Sequence, residues 1–531
     1  MKKFLIPSLS LFSIILTACG LASTKDGLSL DKNKDYTFED VSNKNGSMSY
    51  EIFVRSFYDS DNDGIGDLKG VEAKLPYLYD MGFKTLWLMP IHPSPTYHGY
   101  DVSNYYAVNT DLGTLDDFDD LVATAKNYNI DIMIDMVLNH CSIQNPWFRQ
   151  SYNDYKNGNT DEDSKADWFN WGASGSTYGG VSYECRFDSS MPDFNLDSES
   201  LRTEIANICK FWINHGVKGF RLDATLYYYY GNTTKNNAFL KWLEDTCHEY
   251  DEDFYMVGEC WQSDSTVNSY YNSTCDSFFR FGTSTSGDYS VANLIKGFGT
   301  ASRIEKYIQN NEKAMKTANS KAYSSYFLSN HDMDRISKNF DETQNKMAAS
   351  LLCLMPGTPY MYYGEEIQLV GRRETSPDDL SDVKRRLPMI WSKKDKTGEC
   401  SFPETNRQDL NNTEQVELGV VDRLNEKFSL LKHYKKVINI RNKYPFIKQG
   451  VFTSMCDTLD ADALYNQDKI MAYKIALDDE YIIVVHNFTS VTQTVTSPGT
   501  EILDEINTSR YRPKIVDGKL TIAPYSSVIL H

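Results

Sequence analysis

The sequence predicts an α/β fold built on an eight-stranded parallel barrel, with a domain inserted after the third strand and a small antiparallel β domain at the C-terminus. Three observations carry this reading. From Ser49 onward, short β-rich runs alternate with amphipathic helical stretches; the strands read as 50–54, 85–89, 131–137, 219–223, 255–259, 277–281, 325–329 and 359–363. Eight β-then-α units in a row describe a TIM-type (β/α)8 barrel, although strand counting alone leaves a doubly wound sheet open. Between about Cys141 and Leu196 the chain is rich in Gly, Asn, Asp, Ser and Trp without periodicity, the mark of a functional insertion. After Pro445 the pattern changes to alternating strands, at 470–477, 481–488 and in a hairpin over 514–522 around Asp517-Gly518, which together predict a β-sandwich.

Each element has a local reason. In the helical stretch 200–215, the apolar residues Leu201, Ile205, Ile208, Phe211 and Trp212 recur at helical spacing. Asp-Gly between two alternating runs is a strong two-residue turn. The predicted boundaries are 48–140 and 197–446 for the barrel, 141–196 for the inserted domain and 447–531 for the β domain. A length of 531 residues accommodates these parts, and 41% hydrophobic residues supply their cores. With 54 basic against 73 acidic side chains the net charge is −19, which excludes a nucleic-acid partner because such binders need a basic face. No protein partner is predicted.

The N-terminus gives a location. Lys2 and Lys3 precede an apolar run over 4–16 that is too short to span a bilayer. It ends in Leu16-Thr17-Ala18-Cys19, which resembles the lipobox of bacterial lipoproteins. Residues 1–18 are then a signal peptide, Cys19 carries a lipid, and the polar stretch 19–47 is a tether. The expected location is outside the cytoplasm, anchored at a bacterial membrane; a plain secretion signal with an incidental cysteine is the alternative. Removing Cys19 leaves nine of ten cysteines, an odd number without metal-ligand spacing, so neither a disulfide framework nor a zinc site is expected, with one or two disulfides left open.

In a parallel barrel the chemistry sits where strands end. Here the third strand runs into Asp135–His140 (DMVLNH), the fourth ends in Gly219–Asp223 (GFRLD), the fifth in Val257-Gly258-Glu259 and the seventh in Leu328–Asp332 (LSNHD). A lone Asp after a strand is commonly a helix cap. Three carboxylates converging on one mouth, with an Arg and two His beside them, are harder to explain that way. A retaining glycosidase uses such a pair, about 5–5.5 Å apart: one carboxylate attacks, the other protonates the leaving oxygen. Arg221 and Asp223 leave their strand on the same face, and a guanidinium keeps its neighbour ionised, as a nucleophile requires. Glu259 is then the better acid.

At this point the chain resembles the α-amylase family of glycoside hydrolases over essentially its whole mature length. DMVLNH, GFRLDA, GE and NHD stand in that family's order; MPDFN (191–195), GFKTLWLMPI (82–91) and HGYDVSNYYAV (98–108) match three further stretches. The resemblance implies Asp223 as nucleophile, Glu259 as general acid/base and Asp332 as the carboxylate that stabilises and orients the sugar. It also implies Tyr100 stacking on the sugar, His140, Arg221 and His331 hydrogen-bonding it, and Asp135 holding the loop and the Arg. The substrate implied is starch or maltooligosaccharide, cut endo-fashion at α-1,4 bonds. An exo-acting α-glucosidase, an α-1,6-cleaving enzyme, a transglycosylase and a glucan-binding protein without catalysis are the alternatives. Tyr97 stands three residues before Tyr100, where exo-acting members commonly carry an Asp that blocks the cleft.

FYDSDNDGIGDL places Asp59, Asp61, Asp63 and Asp67 at every second or fourth position, with the Ile65 carbonyl among them, a set of hard oxygens suited to Ca²⁺. The twelfth position is Gly70 rather than Glu, so the loop is not a full EF-hand. The resemblance supports a structural calcium there. A second calcium, held in many relatives by a His after the nucleophile, is in doubt because Ala224-Thr225-Leu226-Tyr227 follows Asp223. That departure, with MPDFN, implies a branch intermediate between oligo-1,6-glucosidases and neopullulanases. Of Tyr227–Tyr230, at least one is expected to touch substrate; Trp261 reads either way, and Trp87 reads as core.

Overall fold

The computed structural model describes residues 48–374, 380–403, 415–456 and 468–531. The expected signal peptide, Cys19 and tether lie outside the described residues. Among the described residues no helix is long and apolar enough to cross a membrane.

The barrel strands are β1 (Ser49–Ile52), β2 (Thr85–Leu88), β3 (Asp131–Met136), β6 (Gly219–Leu222), β7 (Tyr255–Gly258), β8 (Ser277–Arg280), β9 (Tyr323–Tyr326) and β10 (Tyr360–Tyr362), with β4 (Trp171–Tyr178) and β5 (Val181–Tyr183) in the insertion. All eight predicted barrel strands are present. They run parallel in the order β10–β1–β2–β3–β6–β7–β8–β9, and a parallel bridge between Phe327 and Tyr360 joins the two ends. Each strand neighbours its predecessor around the ring, which rules out the doubly wound alternative.

The barrel is filled rather than hollow. Trp87, Met133, Val257, Phe279, Phe327 and Tyr360 form one buried cluster inside it. The predicted helix 200–215 spans Glu199–Asn214; Ser198 caps it by accepting the Leu201 N–H, and Leu201, Ile205, Ile208 and Trp212 are buried. Trp212 also donates its indole N–H to the Tyr105 carbonyl at 2.8 Å.

Rings hold the insertion where periodicity is missing. Phe148 packs on Phe169, Trp171 and Tyr183 at centroid distances of 5.0–5.1 Å, and Trp147 packs on Tyr105 and Trp168. The antiparallel bridge His140–Asp193 ties the insertion to the segment that follows β3, and the bridge Phe169–Phe194 ties the insertion's own two sides together.

The C-terminal strands are β11 (Val451–Ser454), β12 (Ile470–Leu477), β13 (Glu480–Asn487), β14 (Gln493–Thr496), β15 (Ile502–Ile506), β16 (Lys514–Val516), β17 (Lys519–Ile522) and β18 (Ser526–Leu530). They make a five-stranded and a three-stranded antiparallel sheet. Ile470, Ala472, Ile483, Val485, Val528 and Leu530 of the first meet Val495, Leu520 and Ile522 of the second, which makes the predicted sandwich. The predicted hairpin is present, with Asp517 at φ 49° and Gly518 at φ 70°, the paired left-handed residues of a type I′ turn. On its other face the larger sheet packs on the barrel's outer helices. Buried Glu305 of helix Ala301–Ala318 accepts from the Ser454 hydroxyl and the Met455 N–H, both at 2.6 Å, and Tyr473 donates to the Leu354 carbonyl.

Candidate active site

Three consecutive carboxyl-bearing strand ends meet on one guanidinium. Arg221 is buried on β6 and reaches Asp135 at 2.9 Å and Asp223 at 2.7 Å with Nη1, and Glu259 at 3.0 Å with Nη2. The three acids stand just at or beyond the ends of β3, β6 and β7, where the parallel register aligns Asp135 with Arg221 and Leu222 with Gly258. Gly258 is required at its position: a Cβ there would come within 2.4 Å of the Phe278 ring. Ala224 adopts φ 50°, a left-handed conformation that turns its N–H onto Glu259 Oε2 at 3.0 Å. With Oε2 doubly engaged, Oε1 is the oxygen of Glu259 that can carry a proton.

The electrostatics separate the carboxyls. Burial pushes the Glu259 carboxyl up to about 7, with the negative charges of Asp223 and Asp332 adding and Arg221 opposing. Burial also works against the charged form of Asp332, but the His331 ring at 3.1 Å and the Arg386 guanidinium at 3.1 Å outweigh it and hold that carboxyl well below the usual range. Asp135 is raised to about 6 by burial against the pull of Arg221; it also accepts from the Trp87 indole N–H and from the Tyr100 hydroxyl at 3.0 Å. It therefore holds Arg221 and Tyr100 from beneath.

His331 is buried between Glu51, at 2.6 Å from Nδ1, and Asp332 and Tyr100, at 3.1 and 2.7 Å from Nε2. Burial disfavours its cation, yet these two carboxylates raise it to about 9. The Tyr100 ring stacks on it at 5.6 Å. His140 has the opposite character: burial lowers its pKa, and among the described residues its Nε2 has no hydrogen-bond partner.

These groups line a cleft of about 440 Å³ that also includes His98, Phe187, Met191, Tyr227, Trp261 and Arg386. Asp223, Glu259, Asp332, Tyr100 and His140 all border it, and Arg221 lies directly beneath. A larger polar hollow, about 970 Å³, opens at the opposite end of the barrel among Asp131, Lys218, Tyr255 and Asp276, and contains none of the three carboxylates. In barrels of this type the strands' C-terminal end carries the chemistry.

The tyrosine run divides. Tyr227 borders the cleft, 4.8 Å from Phe187, whereas Tyr228 is buried edge-on against Phe239. Tyr229 bonds Asp197 and Arg202, and Tyr230 lies outside, beneath the Arg186 guanidinium at 4.3 Å. Trp261, 46% exposed, stacks on Phe281 and faces the cleft; Trp87 is core. Arg186 also pairs with Glu184 at 2.5 Å and approaches Asp193 at 3.9 Å, so at the seam of the insertion a guanidinium provides the positive charge.

Of the expected metal ligands, Asp59, Asp61 and Asp67 bring carboxylate oxygens within 4.8 Å of one another. Asp63 stands outside this group, and its Oδ1 accepts the Ile65 N–H instead. Asp59 accepts N–H groups from Asn62 and Gly64, and Asp67 caps the following helix Leu68–Ala73 through the Gly70 N–H, which ties the loop to the barrel. Three converging carboxylates with oxygen donors only suit a hard cation.

Sequence reasoning missed Glu51, His98, Phe187 and Arg386. Arg386 lies in an irregular segment after β10 with no motif around it; the basic run Lys384-Arg385-Arg386 is its only local signal.

The profile of the family described as "Alpha amylase, catalytic domain" matches residues 51–450, and that of the "Alpha-amylase SusG C-terminal domain" matches 470–529. The chain is 34% identical to "Alpha-amylase 3" of Dictyoglomus thermophilum over 91% of its own length and 93% of that protein's. It is 26% identical to an oligo-1,6-glucosidase of Bacillus cereus, over 91% and 98%. Among solved structures, Eubacterium rectale Amy13B superposes with a TM-score of 0.82 at 33% identity, covering 91% of this chain and 95% of that one.

Proposed function

This chain belongs to the α-amylase family of glycoside hydrolases and is an α-glucan hydrolase, and we propose that it cuts α-1,4 bonds within starch and maltodextrin chains, with retention at the anomeric carbon. The observation that carries the mechanism is the division of charge across Arg221. Asp223 is ion-paired with one arm of the guanidinium at 2.7 Å, while Glu259 on the other arm is pushed up to about 7 by burial and its acidic neighbours. One guanidinium spanning both agrees with the short separation, about 5–5.5 Å, of a retaining pair.

Asp223 Oδ2, the oxygen not bonded to Arg221, attacks the anomeric carbon as Glu259 delivers its proton to the glycosidic oxygen. The C–O bond breaks, the leaving chain departs as an alcohol, and the sugar remains as an ester of Asp223. Glu259, now anionic, takes a proton from water, which attacks the same carbon and releases Asp223. Two inversions give net retention. Asp332, kept ionised by His331 and Arg386, stabilises the positive charge that develops on the ring. Tyr100 packs beneath the sugar, and the unpartnered Nε2 of His140 meets a hydroxyl.

Endo action rests on Tyr97. Its ring packs edge-on against Phe53 at 5.3 Å, and its hydroxyl reaches the Arg386 carbonyl at 3.5 Å, so no carboxylate grips a terminal glucose there. Maltoheptaose is expected to yield internal fragments while isomaltose stays intact, read by chromatography of the products. Glucose alone, or cleaved isomaltose, would move the enzyme to the exo-acting or α-1,6 reading, and longer oligomers would mean transglycosylation.

Asp59, Asp61 and Asp67, the three carboxylates that converge, would hold a Ca²⁺ ion that has a structural and not a chemical role. An ion present at about a hundred times its Kd contributes about 2.7 kcal/mol. Chelation is therefore expected to lower Tm in a thermal melt, with recovery on adding Ca²⁺ and not Mg²⁺; an unchanged Tm would remove the metal. The lipid on Cys19 would hold the enzyme facing outward, where polymeric glucan is met first.

A further inference from the structure

We propose that Glu51, on β1, is a positioning residue that locks His331 as an imidazolium, so that Nε2 always presents a proton to Asp332 and to the Tyr100 hydroxyl, two groups that border the cleft. The proposal rests on the catalytic reading above and deepens it.

Glu51 is 1% exposed and sits in the middle of the barrel wall, paired with Trp87 of β2 and Tyr362 of β10. Among the described residues its one ion pair is with His331, at 2.6 Å from Nδ1. Its Oε1 also lies 3.4 Å from the His331 backbone N–H. The side chain is thus aimed at His331 from a rigid strand and does not itself border the cleft.

The consequence follows from counting protons. An imidazole whose Nδ1–H is given to Glu51 has two choices at Nε2. As a lone pair, Nε2 would face the Asp332 carboxylate at 3.1 Å, acceptor against acceptor. As an N–H it donates to Asp332 and to the Tyr100 hydroxyl, which in turn donates to Asp135. Only the doubly protonated ring satisfies both sides. The chain Glu51–His331–Asp332 alternates in sign, and Arg386 closes it at Asp332 and bonds the His331 carbonyl. The other groups facing this pair are Tyr100 and Asp135 with Arg221 on the cleft side, and Tyr362, Glu365 and Arg335 behind Glu51. The weight of negative charge around the ring favours its cation.

Glu51→Gln keeps the shape and the hydrogen bond but removes the charge. Losing an opposite charge within about 4–6 Å lowers a pKa by about 1–3 units. His331 would then titrate inside the working range, and the variant's deficit in kcat/KM should be small at pH 5.5 and grow about tenfold by pH 8, mainly in kcat. A loss that is uniform across pH would mean that Glu51 only packs, and would overturn the proposal. A second measurement needs no variant to fold. In protein labelled with ¹⁵N-histidine, the His331 ring nitrogens should report a charged imidazolium at pH 8; a neutral ring would overturn the proposal outright. That spectrum is independent of which carboxylate is the nucleophile, so an active Asp223→Asn enzyme with a charged His331 would sink the catalytic reading and leave this one standing.

Discussion

An Asp223→Asn enzyme is expected to fold, to bind maltooligosaccharides and to turn over more slowly by about four orders of magnitude, the scale of losing a group that works as part of a unit. The fold survives because Arg221 keeps Asp135 at 2.9 Å and Glu259 at 3.0 Å, and the amide retains the shape of the lost carboxylate. Chemistry fails because an amide oxygen does not form the glycosyl ester. The loss falls on every substrate, including glycosyl fluorides whose leaving group needs no proton, since both depend on the same attack. Mass spectrometry of a rapidly quenched reaction should find the ester on the native enzyme and none on the variant. There is also an electrostatic signature: Asp223 is one of the charges that raise Glu259, so its neutralisation should lower the Glu259 pKa. Retention of more than about one per cent of native kcat would remove Asp223 from the nucleophile's place.

The residues that could be assigned from sequence share a physical position. Asp135, Arg221, Asp223 and Glu259 stand at or next to the ends of short buried strands and Asp332 in the loop that follows β9, so a strand pattern followed by a polar break announces each one. Their convergence follows from barrel closure alone. Glu51 stands inside a strand, where a period-two pattern reads it as one more alternation; its role appears only when β1 is set beside the loop that follows β9. Arg386 and Phe187 come from irregular backbone whose course no local period encodes. The strand Ile470–Leu477, read from sequence as one of the alternating strands, is instead apolar at nearly every position, because its sheet is buried on both faces, one against the small sheet and one against barrel helices. The tyrosines 227–230 show the limit most plainly: four identical residues in a row take four environments, from the cleft wall to buried packing against Phe239, and sequence offers nothing by which to sort them. The aspartate loop was legible as a set of oxygens but not in its geometry, since Asp63 turns to its own backbone.

Glu259→Gln should separate the two half-reactions that Asp223→Asn abolishes together. Glutamine keeps an oxygen for the Ala224 N–H and the Arg221 guanidinium, so the loop after β7 holds its course. What is lost is the proton. On maltooligosaccharides, whose leaving group is a sugar alkoxide, kcat should fall by about 10²–10⁴, the usual contribution of general acid–base catalysis. On a glycosyl fluoride the first step needs no acid, so the ester on Asp223 should form rapidly and then accumulate, because no base remains to activate water. A small anion such as azide, which attacks without deprotonation, should discharge it as the glycosyl azide. The pH dependence gives an independent reading. The native acid works only while protonated, and its carboxyl is held at about 7, so kcat/KM should decline as pH rises through that value. The variant carries no titrating group at this position, and its residual activity should lose that alkaline limb. If the limb persisted in Glu259→Gln, or if azide restored nothing, the proton would have to come from elsewhere in the cleft. Asp332 is a poor substitute, since the positive charges of His331 and Arg386 keep it ionised. Asp135 lies buried beneath Arg221, with its oxygens already committed to Arg221, Trp87 and Tyr100. Among the described residues, Glu259 is the one carboxyl that is both raised toward neutrality and open to the cleft.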